Sequence, residues 1–299
     1  VSVDLIGKIL ALSCAILWAV AVIFFKRAGE TIRPSALNLY KTIIAAVLLL
    51  PVFWIAGISL NPAGLTGMDW LMVIASGVLG ISVSDSLFFK CLNILGAGLT
   101  AIVECMYSPM IMALSWLVLF NKLSIRQVAG ALLVIAAVLV ATLKVKTIKI
   151  PAKNIAIGIL LGAGAMFFMA VSIVLMKPVL QKPSVSVFWV SEVRLLAALV
   201  VLVIFILFAK ERRQMFASLW DRRNWKHALP GTILGNVLSM TIWVAAFKLT
   251  DVTSAAILNQ TNTIFIVILA SLWLKEPFTL RRIIATVLAF AGSVLVLAN

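Results

Sequence analysis

Asp85, Glu104 and Lys41 are ionisable side chains set deep within long apolar stretches of the sequence. A charge at mid-bilayer costs roughly 2.5–3.5 kcal/mol on insertion scales and is seldom kept without a role. Asp85 lies ten residues before the tight turn predicted near Leu95, and Glu104 lies nine after it. At ~1.5 Å per residue both carboxylates reach about 14 Å, near the middle of ~30 Å of hydrocarbon. Lys41 follows a turn near Thr31 on the same side, which gives it a similar depth and makes it the natural counter-charge. Buried acids of this kind can carry a proton or anchor a cationic group. Equally, Lys41 can neutralise one acid while the other is protonated or water-bridged, and the set then only locks helices together.

Further candidates surround these three. Asn259, Gln260, Thr261, Asn262 and Thr263 form a polar run. At about 100° per residue such a run cannot all face one way, and Asn259 and Asn262 are the pair expected to look inward together. Glu192 and Arg194 stand two apart, point to different faces and are not expected to pair directly. Trp18, Tyr107, Trp189 and Trp243 would either line a pocket or serve interfacial belts and lipid contact. Tyr107, Ser108 and Pro109, one to two turns beyond Glu104, would loosen their helix beside the cavity. Gly158, Gly162 and Gly164 suit close helix packing or a hinge. The candidate substrate-binding or coupling set is thus Glu104, Asp85, Lys41, Asn259, Asn262, Arg194, Trp18, Tyr107 and Trp243.

The elements that must position them follow from composition. Of 299 residues, 64% are apolar and 12% charged, which leaves no room for a soluble domain. Ten apolar stretches of about 20 residues are read at 5–28, 35–57, 70–90, 98–120 and 125–143, then 155–176, 185–209, 228–249, 253–274 and 281–298. The expected fold class is an all-α integral membrane protein of ten transmembrane helices. The first stretch does not read as a cleaved signal, because Lys26 and Arg27 close it and no small-residue cleavage pattern follows.

The net charge of +15 raises the question of nucleic acid. Most Lys and Arg residues, however, flank the apolar stretches, where they face cytosol and anionic lipid, so no nucleic-acid partner is expected. Cys14, Cys91 and Cys105 lack metal-ligand spacing and read as buried thiols; His227 is the only histidine. Neither a metal, a cofactor nor a His-based catalytic site is expected. A nucleotide-phosphate loop, which ATP-driven pumping would need, is missing from the sequence.

An internal repeat organises the chain. A shift of 155 residues matches Trp70 with Trp225, Gly80 with Gly235, Ala101 with Ala256, Leu117 with Leu272 and Arg126 with Arg281. Upstream the offset drifts: at 151, Ala19 meets Ala170 and Lys26 meets Lys177, and at 153, Lys41 meets Arg194. Met240, Asn259 and Arg194 stand at the positions equivalent to Asp85, Glu104 and Lys41, so the acidic pair belongs to the first half alone. Five helices per repeat is an odd number, so the second copy must enter the membrane inverted, an arrangement typical of carriers. The two halves are read as 1–147 and 148–299.

With these features the sequence resembles the EamA family of the drug/metabolite transporter superfamily. The resemblance rests on the two five-helix repeats and on the stretch from Trp18 to Lys26. It also rests on a repeated ending: Phe120, Asn121, Lys122, Leu123, Ser124 and then Arg126 in one half, Lys275, Glu276, Pro277, Phe278, Thr279 and then Arg281 in the other. Asn121 departs from the Glu usual at that place, and Ala19 from a common Gly. The resemblance implies a secondary carrier, commonly an exporter of amino acids or other metabolites, with a central cavity between the halves and cytoplasmic termini.

Charge counting disagrees on orientation. Segments after odd-numbered stretches carry 17 Lys and Arg, among them Lys144, Lys146 and Lys149, against six on the other side, which by the positive-inside rule puts both termini outside. The charges are followed here. The function expected is secondary export of amino acids or related polar or amphipathic metabolites across the plasma membrane, with protons as candidate coupling ions through Glu104 or Asp85. A lipid or lipid-linked sugar flippase is the alternative. A membrane-embedded enzyme would need a His, Asp or Ser cluster at one interface, which the sequence lacks, so no enzyme is expected. The expected partners are a small-molecule substrate and the bilayer, and fusion of two halves points to a monomer.

Overall fold

The computed structural model describes residues 3–119, 124–142, 150–250, 255 and 258–297. Phe120, Asn121, Lys122, Leu123, Lys144, Lys146, Lys149 and Ala256, used above, lie outside them. Among the described residues all regular structure is helical.

Helix α1 (Val3–Ala28) leads to α2 (Pro34–Ile55), which starts at Pro34, where a missing N–H leaves no intrahelical bond unmade. A capping box between Thr66 and Asp69 opens α3 (Gly67–Gly77). This helix continues through a π-helical segment, Val78–Val83, into α4 (Ser84–Leu95). Helices α5 (Ala97–Glu104) and α6 (Tyr107–Leu119) form one broken segment, and α7 (Ile125–Thr142) follows. The second set comprises α8 (Ala152–Leu180), α9 (Val187–Leu207), a short α10 (Arg212–Trp220) and α11 (Arg222–Thr232). A second π segment, Ile233–Ser239, joins α11 to α12 (Met240–Leu249), and α13 (Asn262–Leu274) and α14 (Leu280–Leu297) complete it.

Seven described segments are long and apolar enough to cross a membrane: Val3–Ala28, Pro34–Ile55, Gly67–Leu95, Ala97–Leu114, Ala152–Leu180, Val187–Leu207 and Arg222–Leu249. Ile125–Ala141 and Asn262–Leu274 are shorter apolar helices. Their outer faces expose Leu132, Leu160, Val200 and Leu272, which suits contact with lipid tails.

The irregularities repeat with the sequence. The π segments begin 155 residues apart, at Val78 and Ile233, and the helix breaks at residues 105–106 and 260–261 keep the same spacing. The first break lies upstream of Pro109 for a chemical reason. Proline has no N–H to return to the Cys105 carbonyl, and Ser108 N takes that carbonyl at 3.2 Å instead. In the second half, Thr261 Oγ1 donates to the Leu258 carbonyl at 2.6 Å, the side-chain competition that weakens a helix. Against the predicted boundaries, the third stretch extends to Leu95, and α10 is an additional helix too short and polar to register as apolar.

Close approaches set the packing. Gly130 of α7 and Gly292 of α14 face one another, and a Cβ on either would come within 2.6 or 2.7 Å of the other's carbonyl oxygen. Gly158 and Gly162 admit Leu95 and Val103, whose side chains a Cβ would meet at 2.5 Å; at Gly164 it would make only ordinary contact, 3.5 Å from Leu87.

The turn between α4 and α5 is clamped from the other repeat. Glu276 accepts hydrogen bonds from Ala97 N at 2.7 Å and Gly98 N at 3.1 Å, while Arg282 Nη1 holds the same carboxylate at 3.0 Å. The carboxylate thereby satisfies N–H groups that a helix start leaves unpaired. Gly96 makes the turn at φ 82°, and a Cβ there would lie 2.6 Å from Glu276 Oε1. Gly96→Ala is therefore expected to destabilise the fold by about 1–3 kcal/mol or more, read as a lower thermal unfolding temperature in detergent. An unchanged temperature would contradict the clamp.

Candidate functional site

Residues from both repeats converge on one cavity. Trp18 reaches it from α1, Asp85 and Phe88 from α4, and Glu104 and Tyr107 from either side of the first break. The second repeat supplies Arg194 from α9, Asn236 from the π segment, Met240 and Trp243 from α12, and Asn259, Gln260 and Asn262 around the second break. The cavity encloses about 960 Å³ of empty space, part of it open to the outside. Eight of the nine residues singled out from the sequence line it; Lys41 does not.

Lys41 lies behind the wall, 1% exposed, and donates from Nζ to Asp85 Oδ2 at 2.6 Å. The ammonium also stands 5.8 Å from the centroid of the Phe89 ring. Asp85 is thus neutralised locally. Glu104 is not: its Oε1 accepts from Trp18 Nε1 at 2.9 Å, and its Oε2 has no partner among the described residues. Arg194, at the position equivalent to Lys41, is also 1% exposed. Because Met240 replaces an acid opposite it, its guanidinium turns to Ser172 Oγ at 3.2 Å and Met176 Sδ at 3.4 Å, leaving Nε without a partner among the described residues. Gly80 provides the room, since a Cβ there would meet Ser172 Oγ at 2.3 Å and Arg194 Nη2 at 3.0 Å. Glu192 is buried away from the cavity, with no ion pair to Arg194.

Around the cavity the polar contacts come in matched pairs. Ser84 Oγ donates to the Ala165 carbonyl at 2.9 Å, and Ser239 Oγ, 155 residues later, donates to the Cys14 carbonyl at 3.2 Å. Gln260 Nε2 donates to Ser108 Oγ at 2.8 Å, and the corresponding residues Cys105 and Thr263 meet at 3.2 Å. Each pair joins the two repeats reciprocally, as a two-fold relation requires.

Sequence reasoning missed Phe88, Asn236, Gln260 and the two serines. Ser84 and Ser239 were legible, being the same residue type at the 155 offset; Asn236, opposite Ile81, was not. Trp189, one of the pocket candidates, lies elsewhere. Its Nε1 donates to the Leu60 carbonyl at 2.9 Å, and its ring packs edge-on against Trp70 at 4.8 Å. The three cysteines are free and buried, and no cluster of three metal-ligating side chains occurs among the described residues.

The EamA-like transporter family profile matches the chain twice, over residues 5–143 and 156–298. The chain belongs to the EamA-like transporter family. It is a multi-pass membrane protein of the transporter type with the family's two-repeat architecture. Of 27 chains of known structure that match, one superposes with a TM-score of 0.70 at 17% identity, covering 98% of this chain and 96% of its own, a likeness of fold alone. No curated protein matches.

In this EamA-like protein the cavity is lined by Glu104, whose Oε2 has no partner among the described residues, by Arg194, whose Nε has none, and by the aromatic residues Trp18, Phe88 and Trp243. Asp85 contributes chiefly through its bond to Lys41. Asp85→Asn leaves Lys41 buried and unpaired, so a loss of roughly 3–5 kcal/mol is expected. The double substitution Lys41→Met with Asp85→Asn restores most of it. Thermal unfolding of the purified variants checks the cycle; Asp85→Asn as stable as the parent would contradict it.

Proposed function

We propose that this EamA-like protein is a secondary carrier that exports amino acids or related polar and amphipathic metabolites by alternating access. Ten transmembrane helices in two inverted halves, 1–147 and 148–299, form it: α1, α2, α3 with α4, α5 with α6, and α7, answered by α8, α9, α11 with α12, the segment ending in α13, and α14. It works as a monomer in the plasma membrane, with both termini outside, as the Lys and Arg distribution requires. Not being an enzyme, it relies on binding and on the exchange of two packings of its halves.

The observation that carries this reading is the unequal state of the two acids. Asp85 is held by Lys41, whereas Glu104 lines the cavity with one oxygen that has no partner among the described residues. Glu104 is therefore assigned the proton or the substrate's cationic group, and Arg194 the anionic group. A zwitterion fits both.

Proteoliposomes with an imposed pH gradient and a panel of labelled metabolites, amino acids foremost, test this. Gradient-dependent flux is expected for the parent and not for Glu104→Gln. Arg194→Gln, which loses a charge-assisted contact of roughly 1.5–3 kcal/mol, raises the half-saturating concentration about ten- to hundredfold. Absence of flux for every water-soluble compound in a folded parent protein would refute the exporter reading in favour of lipid flipping.

A further inference from the structure

Between α9 and α11 the chain forms a basic corner. Lys210, Arg212, Arg213, Arg222, Arg223 and Lys226 are all exposed there. Within 207–226 the only acids are Glu211, ion-paired with Arg33, and Asp221, whose Oδ1 accepts from Arg223 N at 2.9 Å. Among the described residues none of the six cations has a carboxylate in an ion pair. Phe208 and Trp220 project beside them, 86% and 79% exposed. Large exposed aromatics next to unpaired cations, at the ends of membrane-crossing segments, match the headgroup layer, where rings settle at the boundary and cations meet phosphate.

The inner side of the corner is fixed. Met215 is buried and Phe216 packs on the core around α1 and α2. Asn224 donates to the Ser218 carbonyl at 2.8 Å and accepts from Thr31 Oγ1 at 2.7 Å. Only the charged side is free to meet a partner, and α11 leads from it through the π segment to Asn236, Met240 and Trp243 in the cavity wall.

We propose that this corner binds the headgroups of anionic phospholipids in its own leaflet. The charge complementarity commits it to lipid, because the cations lie where α9 ends and α11 begins, at the ends of two segments long and apolar enough to cross a membrane. An acidic soluble protein is the competing occupant.

The full-length protein is placed in bilayers containing brominated phosphatidylglycerol or, at equal fraction, brominated phosphatidylcholine, and fluorescence quenching is compared between the parent and Trp220→Phe. Quenching of the Trp220 component by phosphatidylglycerol is expected to show a preference of about fivefold or more at low salt. High salt should abolish the preference in the parent, and R212Q/R213Q/R222Q/R223Q should lack it while retaining its unfolding temperature in phosphatidylcholine. Equal quenching by the two lipids in the parent would overturn the proposal, as would a preference insensitive to salt. The parent's own salt response decides the matter if the fourfold variant does not fold.

Discussion

Hydrocarbon offers no partner to an unpaired amide, so irregular backbone inside a bilayer persists only where protein or water covers it. Four irregularities among the described residues of the spanning helices obey that constraint. Two π segments and two helix breaks supply cavity residues, and the carbonyls freed at the breaks are taken by neighbouring N–H and hydroxyl groups. The breaks in turn carry Glu104, Tyr107, Asn259, Gln260 and Asn262 to one place. Regular helices of the same length would present those side chains along narrow stripes and could not collect them on one wall.

Charge follows the same logic. Lys41 and Arg194 occupy equivalent positions and are equally buried, yet only Lys41 has an acid opposite it. A duplicated framework with unequal fillings yields a cavity lined by two acids of the first repeat, one of them bound to Lys41 behind the wall, and by a guanidinium of the second that donates to a hydroxyl and a thioether. The matched serine contacts and the crossed contacts at the breaks keep the framework symmetrical while its chemistry is not. Symmetry of that kind gives two packings of similar energy, which alternating access requires.

How much of this the sequence discloses depends on what each feature needs. Depth along a helix is arithmetic, so the level shared by Lys41 and Asp85 and their pairing were legible. Repeat spacing is also arithmetic, and the two π segments keep it, although nothing in the sequence announced the wide turns themselves. Azimuth across separate helices is not arithmetic. The bond from Trp18 to Glu104 depends on the rotation of two helices about their own axes, and so does the seat of Trp189, which turned to a loop carbonyl instead of the cavity. The break at residues 105–106 was misplaced toward Pro109 because proline acts on the carbonyl four residues before it. Glu276 was visible only as part of a repeated ending; its role in clamping the turn at Gly96 needs the two halves in register. Helix α10 escaped a search tuned to apolar length.

Alternating access as proposed requires that one cavity between the repeats be reached from the two sides of the membrane in turn. Met240 lines that cavity. In a chain with Cys14, Cys91 and Cys105 replaced by alanine, Met240→Cys in sealed vesicles can be challenged with a membrane-impermeant maleimide from either face. Modification from both faces, with transported substrate shifting the ratio between them, is the predicted result. Modification from one face alone, whatever substrate or gradient is applied, would contradict alternating access.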